Sequence, residues 1–127
     1  MNWRDFREAA PELVSLGEER FERTGLCLVG TLTAGGYPRI SPIEPFIVGG
    51  ELLLGMMWQS KKALDMERDP RIVVHSTVSD REGTEGDFKL HGRAVNWQRV
   101  HCVSTLPGGA FSAGGKKWSC SPNNLIC

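Results

Sequence analysis

Residues 50–75 read GELLLGMMWQSKKALDMERDPRIVVH, and this stretch decides the fold. Glu51 to Met57 is apolar and bounded by Gly49-Gly50, which predicts a strand entered through a tight turn. Ser60 stands where a helix N-cap belongs, before Lys61-Lys62-Ala63-Leu64-Asp65-Met66-Glu67-Arg68. Asp69-Pro70 stops that helix, because the residue before a proline is pushed out of the helical region. Arg71 to Val78, rich in β-branched residues, predicts the next strand.

Outward from this unit, Leu26 to Leu32 predicts a strand, Ala34-Gly35-Gly36-Tyr37 a hairpin turn, and Pro38 to Val48 the returning strand. Pro42 and Pro45 each remove a ladder donor, which places that strand at an edge or on an irregular stretch. Ser79 to Gly86 predicts a polar loop, and Asp87 to Asn96 a fifth strand. Residues 3–23 predict two helical pieces, with Pro11 in the first turn of the second. Leu13, Leu16 and Phe21 are expected to share its apolar face. Hairpins imply antiparallel pairing, so the pattern is a mainly β chain: a small barrel with flanking helices.

The 127 residues suit one domain with one core. Fifteen basic and fifteen acidic side chains cancel, which removes the electrostatic case for nucleic acid or an anionic membrane as partner. The balance is uneven along the chain. Every acid lies at or before Asp87, so residues 1–97 hold twelve bases against fifteen acids, and 98–127 hold Arg99, Lys116 and Lys117 with no acid. The stretch from Ser104 to Asn124 shows neither helical nor strand periodicity. Residues 1–97 are therefore the patterned domain and 98–127 an atypical tail, read either as an ordinary flexible C-terminus or as the product of a change of reading frame.

No run approaches the roughly 20 apolar residues of a membrane span, and Met1 to Phe6 lacks the form of a signal peptide. Both point to a cytoplasmic protein. The four cysteines form no CxxC pair, no histidine pattern suggests a metal, and Cys27 in an apolar strand reads as a small hydrophobe.

The chemistry concentrates at Gln59-Ser60-Lys61-Lys62. The first amides of a helix are unpaired donors carrying partial positive charge, and a hydroxyl with two ammonium groups completes an anion site suited to phosphate. Arg39 alternates with Ser41 on the strand before, and its guanidinium fork matches phosphate oxygens. A plain surface salt bridge with Glu44 or Glu51 is the competing role for Arg39. Gly55-Met56-Met57-Trp58 leads into the lysine pair, with a glycine for close approach and a soft apolar surface for a planar ring. His75 reads as a packed strand residue.

The pieces LCLVGTLTAGGYPRISPI (26–43), GELLLGMMWQSKKALDMERDPRIVVH (50–75) and FKLHGRAV (88–95) resemble the pyridoxamine 5'-phosphate oxidase-like family of flavin-binding split barrels. The resemblance implies an antiparallel six-stranded split β-barrel of the FMN-binding type, its C-terminal closure left open here by the tail. It implies a homodimer with the cofactor at the subunit interface and a small-molecule substrate. FMN is the default cofactor, deazaflavin the alternative, and haem ranks below both. By position, Arg39, Ser60, Lys61 and Lys62 match residues holding the flavin phosphate. Ile40, Ser41, Pro42 and Ile43, with Gly55, Met56 and Met57, match segments bordering the isoalloxazine and ribityl parts. Glu44 stands where the pyridoxamine oxidase itself carries a lysine, so the resemblance implies a flavin-linked oxidoreductase and not that particular oxidation. A non-catalytic flavin, deazaflavin or haem carrier, or an inactive truncated family member, is the alternative.

Overall fold

The computed structural model describes residues 2–57 and 59–95, together with the backbone of three short strands, 110–113, 116–119 and 124–126. Helices α1 (Trp3–Ala9) and α2 (Pro11–Thr24) precede strands β1 (Cys27–Leu32), β2 (Pro38–Val48) and β3 (Glu51–Met57). Helix α3 (Lys61–Arg68) follows, then β4 (Arg71–Ser76) and β5 (Lys89–Arg93). Pro11 is the first residue of α2, where its missing N–H costs nothing. Asn2 caps α1 in a reciprocal capping box with Asp5. Gly25, at φ 68°, ends α2 in the left-handed conformation that glycine adopts without strain.

The strands run in the order β5-β4-β1-β2-β3, and every neighbouring pair is antiparallel. Strand β2 changes partner along its length. Pro38–Ile43 pair with β1, and Glu44–Val48 pair with β3. Burial shows the same break: Ile43 and Phe46 are both buried although three residues apart, which strict alternation forbids. The two prolines fall on either side of this break, at Pro42 and Pro45. Each half of β2 is hydrogen-bonded on one side only, so each tolerates a residue without an N–H. The strand is therefore internal in the sheet order, and its halves are locally edges.

The result is a curled half-barrel of five strands with flanking helices. This corrects the expectation of six full strands. The sixth place in the order is held by three tail residues, β8 (Asn124–Ile126), which pair with β3 over Gly55–Met57. The other two tail strands, β6 (Ala110–Ala113) and β7 (Lys116–Ser119), pair only with each other. That hairpin also departs from the patternless tail expected. Gly114-Gly115 between Phe111 and Trp118 was its available sequence signal. Among the described residues, no ladder joins β5 to β3. A cavity of about 560 Å³ opens between them, floored by Trp3, Leu52, Leu54, Ile72, Val74 and Leu90.

The core gathers Trp3, Val14, Phe21, Cys27, Val29, Val74 and Phe88. On α2 the inward residues are Val14, Gly17 and Phe21, while Leu13 and Leu16 are exposed. The expected face is rotated because Gly17 has no side chain and admits the ring of Phe88. A Cβ built on Gly17 would lie 2.8 Å from Phe88 Cζ. Phe88 is fully buried and stacks edge-on against Phe21 at 5.6 Å. Its backbone N–H donates to Ser76 Oγ at 3.0 Å, and Ser76 N–H donates to its carbonyl at 2.9 Å.

On an exposed helix, Gly→Ala stabilises by about 1 kcal/mol. Here the clash with Phe88 reverses the sign, and Gly17→Ala is expected to lower stability by about 1–3 kcal/mol in urea denaturation. Burial also pushes the Cys27 thiol up to about 12. In the folded protein Cys27 is expected to resist alkylation at pH 8 and to react fully once urea unfolds the chain, as read by peptide mass spectrometry.

Candidate functional site

Ser60 caps α3: its Oγ accepts the N–H of Ala63 at 3.4 Å, as its position predicted. Gln59 before it takes a positive φ of 52°, and Ser60 N–H donates to the Met57 carbonyl at 3.1 Å. The end of β3 therefore turns directly into the helix start. Lys61 is exposed and Lys62 half-buried. Neither forms an ion pair with a described residue.

Strands β1 and β2 bring Thr31 and Arg39 directly opposite each other. Both reach across to α3, where they meet one carboxylate. Arg39 Nε donates to Asp65 Oδ2 at 2.6 Å, and Thr31 Oγ donates to the same oxygen at 2.9 Å. Arg68 Nη2 donates to Asp65 Oδ1 at 2.9 Å and to the Leu32 carbonyl at 2.8 Å. The Asp65 side chain is 4% exposed, against 30% for Arg39 and 42% for Arg68. Burial alone pushes the Asp65 carboxyl up. The bonds from Arg39, Arg68 and Thr31 outweigh it and hold the carboxyl below its ordinary range.

Asp65 lies three residues from Lys62 and four from Lys61, one helical turn or roughly 5 Å along the axis. The half-barrel thus seats Arg39 on the same short helix that begins with Ser60-Lys61-Lys62. The partner of Arg39 is Asp65 and not Glu44 or Glu51. Asp65, Thr31 and Arg68 were not singled out from the sequence. The available signal was an acid at Asp65 between Ala63 and Met66, two residues on the buried side of α3.

The remaining predicted positions divide. Ser41 shares the Arg39 face and is half-buried, and Ile43 continues into the core. Ile40 is 72% exposed, and Pro42 is also exposed, on the opposite face of the sheet. Met56 is a core residue, whereas Met57 is 71% exposed beside the helix start. Gly55 admits Phe46: a Cβ there would lie 2.8 Å from Phe46 Cε2. Trp58 lies outside the described residues.

His75 is bonded at both ring nitrogens, Nδ1 to the Ser76 carbonyl at 2.6 Å and Nε2 to Asp87 Oδ2 at 2.9 Å. Among the described residues no cluster of His, Cys, Asp and Glu is arranged to hold a metal ion. No helix among them is long and apolar enough to cross a membrane.

Curled five-strand sheet, flanking helices and partner-switching β2 together define a split-barrel chain. The structure is similar to a conserved hypothetical protein from Mycobacterium tuberculosis, with a TM-score of 0.54 and 20% sequence identity over 62% of this chain and 49% of that one. It is also similar to a protein related to general stress protein 26, of the pyridoxinephosphate oxidase family, from Clostridium acetobutylicum. There the TM-score is 0.48 and the identity 20%, over 64% of this chain and 56% of that one. A heme binding protein from Mycobacterium smegmatis aligns with a TM-score of 0.46 and 20% identity, over 62% and 35% of the two chains. The chain spans about half the length of the first of these proteins. At such identities the likeness is one of fold, and the fold agrees with the split-barrel resemblance read from the sequence. No protein-family model and no curated protein matches the sequence.

The Asp65 node has a definite acid dependence. Its carboxyl sits below the unfolded value, so its stabilisation is complete above about pH 4 and is lost as pH falls through the folded value. Asp65→Ala is expected to cost about 3 kcal/mol at pH 7, the low end for a broken buried pair because both arginines keep contact with water. Urea denaturation at pH 7 and pH 3 checks this: the gap between wild type and variant narrows at the lower pH.

Proposed function

We propose that this chain binds FMN and acts as a flavin-linked oxidoreductase of the pyridoxamine 5'-phosphate oxidase-like kind, on a small organic substrate. One observation carries the reading: Arg39 docks on α3 at Asp65, one helical turn along from a capped helix start bearing Lys61 and Lys62. The residues present fit a phosphate monoester. The α3 N-terminal amides offer unpaired donors, the two lysines add charge, and Arg39 adds a planar fork.

Bound FMN would supply hydride exchange at its ring, chemistry for which the protein need only orient and surround the cofactor. Met57, exposed at the end of β3 next to the helix start, offers an apolar surface for that ring. Ile40 and Tyr37, 72% and 75% exposed, are apolar surface that a second copy of the chain would cover. A homodimer is part of the same proposal.

A deazaflavin also carries phosphate on its tail, and the same cluster serves it. Haem ranks below both because the His75 ring is already bonded at both nitrogens. An inactive carrier shares the phosphate site and differs only in turnover.

The absorption spectrum of protein purified without added cofactor separates these outcomes, followed by FMN titration. FMN is expected to bind with its visible bands perturbed, and NADPH or NADH to bleach them. Replacing Lys61 and Lys62 together by Ala is expected to weaken FMN binding about tenfold at low salt, and less at high salt. Unchanged affinity in that double variant overturns the phosphate assignment, and bound flavin that neither NADPH nor NADH bleaches overturns the oxidoreductase reading.

A further inference from the structure

We propose that Asp65 is a positioning residue for the anion site: by occupying Arg39 Nε it turns the terminal amino groups of Arg39 toward the ligand phosphate. This rests on the reading of Arg39, Lys61 and Lys62 as a phosphate site.

The argument begins with how Asp65 spends its acceptors. Oδ1 receives Arg68, and Oδ2 receives both Thr31 and Arg39. Three donors crowd the two oxygens, and Arg39 obtains a single contact through Nε. The same chain shows the alternative. Arg71 grips half-buried Asp69 through Nε and Nη2 together, on both carboxylate oxygens. A pair serving only to fasten β2 to α3 would gain by that two-nitrogen grip. At Asp65 the other oxygen is taken by Arg68, and Arg39 makes the single Nε contact.

The consequence falls on Arg39 alone. Arg68 spends Nη2 on both Asp65 and the Leu32 carbonyl, which ties it down. Among the described residues, the terminal amino groups of Arg39 form no hydrogen bond, and the side chain is 30% exposed. A half-buried guanidinium whose two amino groups bond no described residue, fixed at its third nitrogen by a buried carboxylate, is an oriented fork. Fixing it in advance lowers the rotamer entropy lost on binding an anion. The carboxylate does not cancel the site. Around it stand Arg39, Arg68, Lys61 and Lys62 against Asp65 and Glu67, with Asp69 at the helix end paired to Arg71.

Geometry also makes Thr31 part of the device. It stands opposite Arg39 in the β1–β2 ladder and shares the same oxygen, so it holds Oδ2 in place while Arg39 docks. Thr31→Val removes that bond with little change in volume.

The test uses the full chain with FMN and riboflavin, two probes that differ only in the phosphate. A role confined to folding moves both affinities together, whereas a positioning role moves their ratio. In Asp65→Asn, FMN affinity is expected to fall about tenfold with riboflavin affinity unchanged. Thr31→Val is expected to lower FMN affinity two- to threefold by the same signature, and it serves if Asp65→Asn does not fold. Arg39→Ala is the reference for the phosphate site itself. If Arg39→Ala loses FMN preference while Asp65→Asn and Thr31→Val keep it, positioning by Asp65 is overturned and the phosphate site stands. If Arg39→Ala also keeps the wild-type ratio, both are overturned.

Discussion

A single buried carboxylate organises the site. Asp65 on α3 collects Thr31 from β1, Arg39 from β2 and Arg68 from its own helix. Removing a charge from water is costly, and the cost is met here only because each oxygen has charged or hydroxyl donors. Asp65 needs these partners, and they lie on three separate elements. The register of β1 against β2 and the seat of α3 are therefore tied to one another. Ala63 and Met66, flanking Asp65, carry the apolar side of the same docking.

A second constraint shapes the sheet. Strand β2 pairs with β1 through Ile43 and with β3 from Glu44 onward, and it carries a proline on each side of the change. This break lets four strands curl one way and β3 peel off another, leaving an open interior between β3 and β5. Helix α1 lines one end of that interior through Trp3 and Phe6. The helix start bearing Lys61 and Lys62 stands at the other side of β3's end, apart from the cavity. Ligand-binding potential is thus divided between a charged surface cluster and an apolar interior.

Bare glycines do much of the fitting. Gly17 receives Phe88, Gly30 receives Val73 and Gly55 receives Phe46, each at a distance that a Cβ would make too short. In each case an aromatic or branched side chain from a neighbouring element settles onto backbone. These contacts explain why burial along α2 departs from a simple apolar face, and why Gly55 serves packing within the sheet.

Much of this was legible locally. Helix α3 with its Ser60 cap and Asp69-Pro70 stop, Pro11 at the start of α2, and the span of β2 and β3 follow from short-range rules of backbone geometry. Such rules depend on a few adjacent residues, so the chain states them directly. The lysine pair at a helix start was likewise visible. The partner of Arg39 was not, because Asp65 lies 26 positions away and only antiparallel pairing followed by the docking of α3 joins them. The true inward face of α2 was hidden for the same reason: it depends on Phe88, brought over Gly17 by the β4–β5 pairing. Local sequence determined which elements form and where they stop. Only the tertiary structure decided which charges meet, since a buried charge finds its partner through long-range packing and not through spacing along the chain.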